Sequence, residues 1–163
     1  QTPLVDANDP ATGAVFSDVV TATIVSVDPG GASAFDFLSR YDPALACSAT
    51  GPIRMDGFKV FAFVATEVTS FLKAFGAGFD SFVPHQAQPY MVRQLAAELG
   101  LESRLLTLPP AWKNPGSGSV AVTLALNAER LRGKRALIAG FGAGFSASAG
   151  VVHLAAEFTG VKT

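Results

Sequence analysis

Three stretches of this chain combine reactive residue types with positions that could use them. His85 follows the apolar run Ser81–Val83 and Pro84, and precedes residues whose apolar members, Val92, Leu95, Ala96 and Leu99, fall at helical spacing. That places an imidazole where a buried strand ends and a helix begins. Asn114 stands a few residues after a second short apolar run, 104–108, and just ahead of another helical stretch. The turn "GFGAGFS" (140–146) joins two further apolar runs and offers a glycine-rich loop with free backbone N–H groups. In open α/β sheets functional groups gather at the carboxyl ends of strands. An imidazole N–H and a carboxamide NH₂ aimed at one point could stabilise an enolate or thioester oxyanion. Spacing alone leaves a purely structural histidine as an open alternative.

The elements that must position these groups can be read from periodicity. "AVFSDVVTATIVSV" (14–27) is rich in β-branched residues and predicts a buried strand or a pair of strands. Residues 1–13 predict an irregular lead-in, and 28–57, with Gly-Gly and three prolines, a long and mostly extended excursion. The stretch 58–76 places Phe61, Val64, Ala65, Val68, Phe71, Leu72 and Phe75 along one stripe, with Gly76 as its cap, and predicts a helix. Strand 80–84, helix 88–99 closed by Gly100, strand 104–108, helix 117–131 and strands 135–141 and 145–156 complete the order. Strands separated by helices imply a mostly parallel sheet, and the last pair an antiparallel edge. The expectation is a single α/β domain over 1–163: a mixed five-stranded sheet with helices on both faces.

Composition narrows the function. Apolar residues make up 49% of the chain and its net charge is −1, which suits a globular core and not a polyanion-binding surface, so nucleic acid is not expected as a partner. Charges or prolines interrupt every apolar stretch within about 18 residues, so no membrane span is expected. No signal peptide is evident. The one cysteine, Cys47, forbids an internal disulfide and suits a reducing compartment, pointing to the cytoplasm. The chain opens on Gln1, which fits an excised domain, a trimmed chain or a natural split subunit.

Several motifs carry a family resemblance. "FVPHQAQPYMVRQLAAELGL" (82–101) resembles the histidine motif V-P-H-Q-A-N of the β-ketoacyl-acyl carrier protein synthase III family. "KNPGSGSVAVTLAL" (113–126) occupies the place of its G-N-T-S segment, with Asn114 at 114 − 85 = 29 residues from the histidine. Phe141, Gly142, Ala143, Gly144 and Phe145 resemble its closing F-G-G-G-[FL] turn, "RMDGFKVFAFV" (54–64) its M-x-G-x-x-V-F-x-F segment, and "AVFSDVVTATIV" (14–25) the strand that opens its second half. The resemblance covers only the C-terminal half of a two-half, thiolase-like fold.

That resemblance implies decarboxylative Claisen condensation of acyl and malonyl thioesters, in fatty acid or polyketide synthesis. His85 and Asn114 would be the catalytic pair, the Gly142–Ala143–Gly144 backbone an oxyanion loop, and Phe141, Gln86 and Gln88 substrate-binding groups. It implies no metal or redox cofactor, coenzyme A or carrier-protein thioesters as substrates, an N-terminal half bearing the nucleophilic cysteine, an acyl carrier protein partner and a dimeric assembly. "ALACSATG" resembles the motif around that nucleophile, but Gly51-Pro52 come too soon for the buried helix that would lower a thiol pKa, so Cys47 reads as an ordinary loop or core cysteine. His153, Trp112 and Tyr90 read as structural, and Phe145 as core. Lys113 stands where the family has glycine, Pro115-Gly116 where it has Thr-Ser, Gln88 for asparagine and Ser17 for glycine. These departures keep open a non-catalytic structural or regulatory partner of a ketosynthase, beside an acyltransferase or thioester hydrolase on the same fold. Removing the first half would also bare apolar surface, expected on 14–27 and 58–75, and with it self-association or pairing.

Overall fold

The structure, a computed structural model, describes residues 4–26, 34–47 and 51–160. Its centre is a four-stranded sheet in the order β1-β6-β5-β4, where β1 is Phe35–Asp42, β4 Ser81–Pro84, β5 Arg135–Gly142 and β6 Gly144–His153. Strands β4 and β5 run parallel from Ser81 opposite Ala136 to Pro84 opposite Ala139. The glycine turn sends β6 back antiparallel to β5, and β1 adds an antiparallel edge. A separate two-stranded ribbon pairs β2 (Leu45–Ala46) with β3 (Arg54–Met55).

Side-chain alternation divides the core into two layers. Phe82, Leu137, Ala139, Phe141, Phe145, Ala147, Ala149 and Val151 face one side; Val83, Ala136, Ile138 and Val152 face the other. Against the first side pack α1 (Gly57–Phe63), α2 (Thr69–Lys73) and α3 (Pro89–Leu99), through Val60, Phe63, Val64, Val68, Leu72, Leu95 and Ala96. Against the second pack α4 (Ser119–Leu126) and α5 (Ala128–Leu131), through Val120, Leu124 and Leu131. A parallel strand pair buried on both faces needs this double cover.

Helix α3 matches its sequence signals closely. Gln88 caps it by accepting from the Met91 N–H at 2.9 Å, Pro89 opens it, and Gly100 ends it with φ of +66°, a conformation that favours glycine. The helix expected over 58–76 is present as α1 and α2, joined by a π-helical turn at Val64–Val68 and ending at Lys73. Asp56 caps its start, accepting from Lys59 N–H at 3.1 Å. Inside the π turn the Thr69 hydroxyl donates to the Val64 carbonyl at 3.0 Å. The extra residue of the turn shifts the buried face onto Val60 and Phe63 and leaves Ala65 exposed.

Three expectations are corrected. The stretch 14–26 is no strand: apart from one bridge at Phe16 it is irregular, and Val20 and Ile24 are 97% and 99% exposed. Strand propensity reflects fit to a half-buried pleat, and these residues have no second face to pack on. The edge strand comes instead from β1, inside the expected excursion. The run 104–108 contributes a single parallel bridge, Leu105 to Phe82, so the sheet has four strands and not five. The helix expected over 117–131 breaks at Asn127, whose Nδ2 donates to the Thr123 carbonyl at 2.8 Å, giving α4 and α5. The exposed apolar surface correspondingly lies on 20–25 and on β1 (Phe35, Phe37, Tyr41) with Phe58, while most of the helical stripe packs on the sheet. Among the described residues no helix is long and apolar enough to cross a membrane.

Candidate active site

Because β4 and β5 are parallel, their carboxyl ends share one edge of the sheet, and the chain leaves both strands there. The His85 N–H donates to the Ala139 carbonyl at 2.6 Å, extending the β4 ladder by one bond and fixing the residue at the carboxyl end of that strand. Its ring stands edge-on to Phe141 of β5, with centroids 5.3 Å apart and planes at 82°. Nδ1 lies 2.7 Å from the hydroxyl of Ser119, the first residue of α4. Burial pushes the imidazole pKa down to about 4, and the backbone carbonyl of Gly116, which raises it, offsets only part of that. The ring is therefore neutral at physiological pH.

Asn114 is buried and held on three sides. Its N–H donates to the Val15 carbonyl at 3.0 Å, its carbonyl accepts from the Ser17 N–H at 2.9 Å, and its Oδ1 accepts from the Gly116 N–H at 2.9 Å. The last bond assigns the carboxamide: Oδ1 is spent on the loop, and Nδ2 is the end left to donate elsewhere. Gly116 thus touches both residues, giving its N–H to Asn114 and presenting its carbonyl to His85. Gly116 is therefore a neighbour that the two residues share. The bridge at Phe16, all that forms of the expected strand, is the backbone clamp on Asn114.

The other expected site residues have different surroundings. Gly142, Ala143 and Gly144 make the β5–β6 turn; the Ser146 hydroxyl donates to the Ala143 carbonyl at 2.7 Å, and Gly144 takes φ of +140°, where a Cβ would sit 2.9 Å from Ser146 N. Phe141 is buried beside His85. Gln86, expected to bind substrate, is buried with its amide committed to backbone: Nε2 donates to the Pro84 carbonyl at 2.6 Å, and Oε1 accepts from the Leu108 N–H at 3.0 Å. Gln88, expected in the same role, caps α3. Both side chains serve the protein's own backbone. Cys47 is exposed after β2, with its Sγ 3.7 Å from the Gly51 carbonyl; Ser48–Thr50 lie outside the described residues.

Two features were missed from sequence. Ser119 is one of the two serines in "GSGS" (116–119), and only the fold distinguishes the one facing His85. Arg40 of β1 binds Glu67 of the π turn at 2.9 Å and Asp42 at 2.8 Å, with its guanidinium 5.1 Å from the centroid of the Phe145 ring. Its charge falls in the stretch read as an excursion, where nothing marked it.

Comparison with known proteins agrees with this architecture. Residues 76–154 match the family described as 3-oxoacyl-[acyl-carrier-protein] synthase III C terminal. The β-ketoacyl-[acyl-carrier-protein] synthase III of Neorickettsia sennetsu is 27% identical over 157 residues, 88% of this chain and 50% of that protein. The acetoacetyl CoA synthase NphT7 of Streptomyces sp. is 34% identical over 110 residues, 61% of this chain and 33% of that protein. In structure, the 3-oxoacyl-(acyl carrier protein) synthase III FabH of Pseudomonas aeruginosa PAO1 superposes with a TM-score of 0.77 at 24% identity, covering 94% of this chain and 55% of that one. The chain spans about half the length of the first of these curated relatives.

Proposed function

The chain resembles the C-terminal half of a β-ketoacyl-acyl carrier protein synthase III and has the α/β thiolase-like fold, and from that premise we propose that it supplies the histidine–asparagine half of a decarboxylative condensation site. A first half bearing a nucleophilic cysteine would accept the acyl group from a coenzyme A or carrier-protein thioester. A malonyl thioester would then lose carbon dioxide, and its C2 would attack the acyl-enzyme carbonyl, breaking the C–S bond and releasing the cysteine thiolate. As the C–C bond to the departing carboxylate breaks, its electron pair passes into the thioester, and charge builds on the thioester oxygen. The ring N–H of His85 and Nδ2 of Asn114 would donate to that oxygen. A backbone N–H of 142–144 would serve the acyl oxygen. This chemistry draws on no metal or redox group.

One observation supports the reading: Gly116 gives its N–H to the Asn114 carboxamide, and its backbone carbonyl acts on the neutral His85 ring. A neutral imidazole keeps one ring N–H that can donate to the enolate oxygen while its other nitrogen accepts. The exposed Val20, Ile24, Val25, Phe35, Phe37 and Tyr41 support an apolar partner, which the reading identifies as the first half. An acyl carrier protein, a dimeric assembly and a cytoplasmic setting that keeps Cys47 reduced belong to the same reading. The decisive experiment combines the chain with a cysteine-bearing first half and follows malonyl decarboxylation and condensation. His85→Ala or Asn114→Ala should each lower turnover by about 10²–10³-fold. Undiminished turnover in either variant overturns the assignment.

A second reading, a non-catalytic partner subunit, draws on Lys113. This residue adopts φ of +50°, beside Asn114, at a position where the resembled family has glycine. A first half without cysteine at the nucleophile position would favour it.

A further inference from the structure

Buried and at the start of α4, the Ser119 hydroxyl has two polar neighbours of opposite demand. The Gln86 N–H points to its Oγ at 3.2 Å, and a backbone N–H can only donate. His85 Nδ1 lies 2.7 Å away and can donate or accept according to tautomer. A hydroxyl has one hydrogen to give. With Gln86 filling an acceptor site, and no other acceptor for that hydrogen among the described residues, the hydrogen goes to Nδ1. The opposite tautomer would leave a buried hydroxyl hydrogen unpaired, an arrangement proteins avoid.

We propose that Ser119 is a positioning residue that selects the tautomer of His85, donating to Nδ1 so that the hydrogen resides on Nε2. The chain of bonds runs Gln86 N–H to Ser119 Oγ, then Ser119 O–H to Nδ1, leaving the hydrogen on Nε2, the nitrogen turned away from Ser119, as the donor for a substrate oxygen. The same chain couples the ring to Gln86, whose side chain spans the backbone of Pro84 and Leu108. Tautomer and ring placement are set by one residue. The inference deepens the proposed function and rests on it for its purpose, since only a donor from Nε2 makes the selection useful.

The test reads the tautomer directly and needs no catalysis. The full chain, labelled with ¹⁵N-histidine, contains two histidines, and His153→Gln assigns the signals. At pH 7 His85 is expected to show an unprotonated Nδ1 shift and a protonated Nε2 shift, well separated. In Ser119→Ala the separation should collapse toward a mixture or invert. Ser119→Cys, a weaker donor of similar shape, should fall between. A wild-type spectrum with the proton on Nδ1 overturns the proposal without any variant, as does an unchanged spectrum in a folded Ser119→Ala. An Nε2–H signature in a chain that supports no condensation with a cysteine-bearing first half would leave Ser119's role standing and sink the functional reading instead.

Discussion

Ser17 fastens the loop of Asn114 at two points, its N–H donating to the Asn114 carbonyl at 2.9 Å and its hydroxyl to the Trp112 carbonyl at 2.5 Å. Between those points sits Lys113 at φ of +50° and ψ of −139°, a region almost reserved for glycine. The clamp holds a strained residue in place. Strain of this kind costs about 1–3 kcal/mol, and glycine returns up to about 1 kcal/mol of that through unfolded-state entropy. Lys113→Gly is therefore expected to stabilise the chain by about 1 kcal/mol, read as a higher denaturant midpoint. Lys113→Ala retains a Cβ and should gain little. A lower midpoint for the glycine variant would show that the side chain contributes more than its backbone costs.

The depressed pKa of His85 gives a pH dependence with a defined sign. From an unfolded value near 6.5 to a folded value of about 4, the folded chain binds fewer protons across that window. Stability from this group is then fully present above pH 6.5 and is lost as pH falls toward 4, by up to about 3 kcal/mol. Carboxylates titrate over part of the same range, so the informative quantity is the difference between wild type and His85→Gln. That difference should shrink on acidification from pH 7 to pH 4.5; equal slopes in both chains would contradict a neutral, partly buried ring.

Gln86 ties the carboxyl end of β4 to the extended segment beside it. Gln86→Ala removes the partners of the Pro84 carbonyl and the Leu108 N–H together, and should destabilise by about 2 kcal/mol. Amide exchange at Leu108 should quicken more than exchange in α3, which shares no bond with that side chain.

Incubation of the isolated chain with an acyl-coenzyme A is expected to give no adduct by intact mass. Cys47 comes after a two-residue strand and is exposed, and the next helix among the described residues begins only at Gly57. A stable thioester on Cys47 would place the nucleophile within this chain.

Phe35 and Phe37 stand out from the outer edge of the sheet together with Tyr41. Sedimentation at micromolar concentration should reveal self-association of the isolated chain, and Phe37→Ser should shift it toward monomer. A monomer that binds no hydrophobic dye would mean that these rings need no cover.

The central parallel pair, α3 and the glycine turn were legible because each carries a local signal: a fully apolar run, an apolar stripe with proline and glycine at its ends, or a turn between two such runs. β1 was not, since its two phenylalanines face outward and its inner face mixes Leu38 with charged residues, a pattern that resembles a loop. The strand expected over 14–27 failed for the converse reason: β-branched residues signal a pleat only where a neighbour completes it. His85, Asn114 and the turn were singled out by motif and position together. Ser119 and Gln86 acquire their roles through hydrogen bonds to residues far away in the chain, and no spacing encodes those.

The π turn in the long helix has an arithmetical consequence. Val60, Val64, Val68 and Leu72 are all buried at a repeat of four, whereas an α-helix turns about 40° too far with every four residues, roughly 120° across three such steps. A wider turn at Val64–Val68 unwinds part of that drift and keeps the seam nearly straight against the sheet. The helix is thus two segments whose phases are reconciled by a single inserted residue. Deleting one residue between 64 and 68 would leave each hydrophobic side chain intact and yet swing Leu72 off the sheet, so the lesion would be one of angle, with the composition of the core almost unchanged.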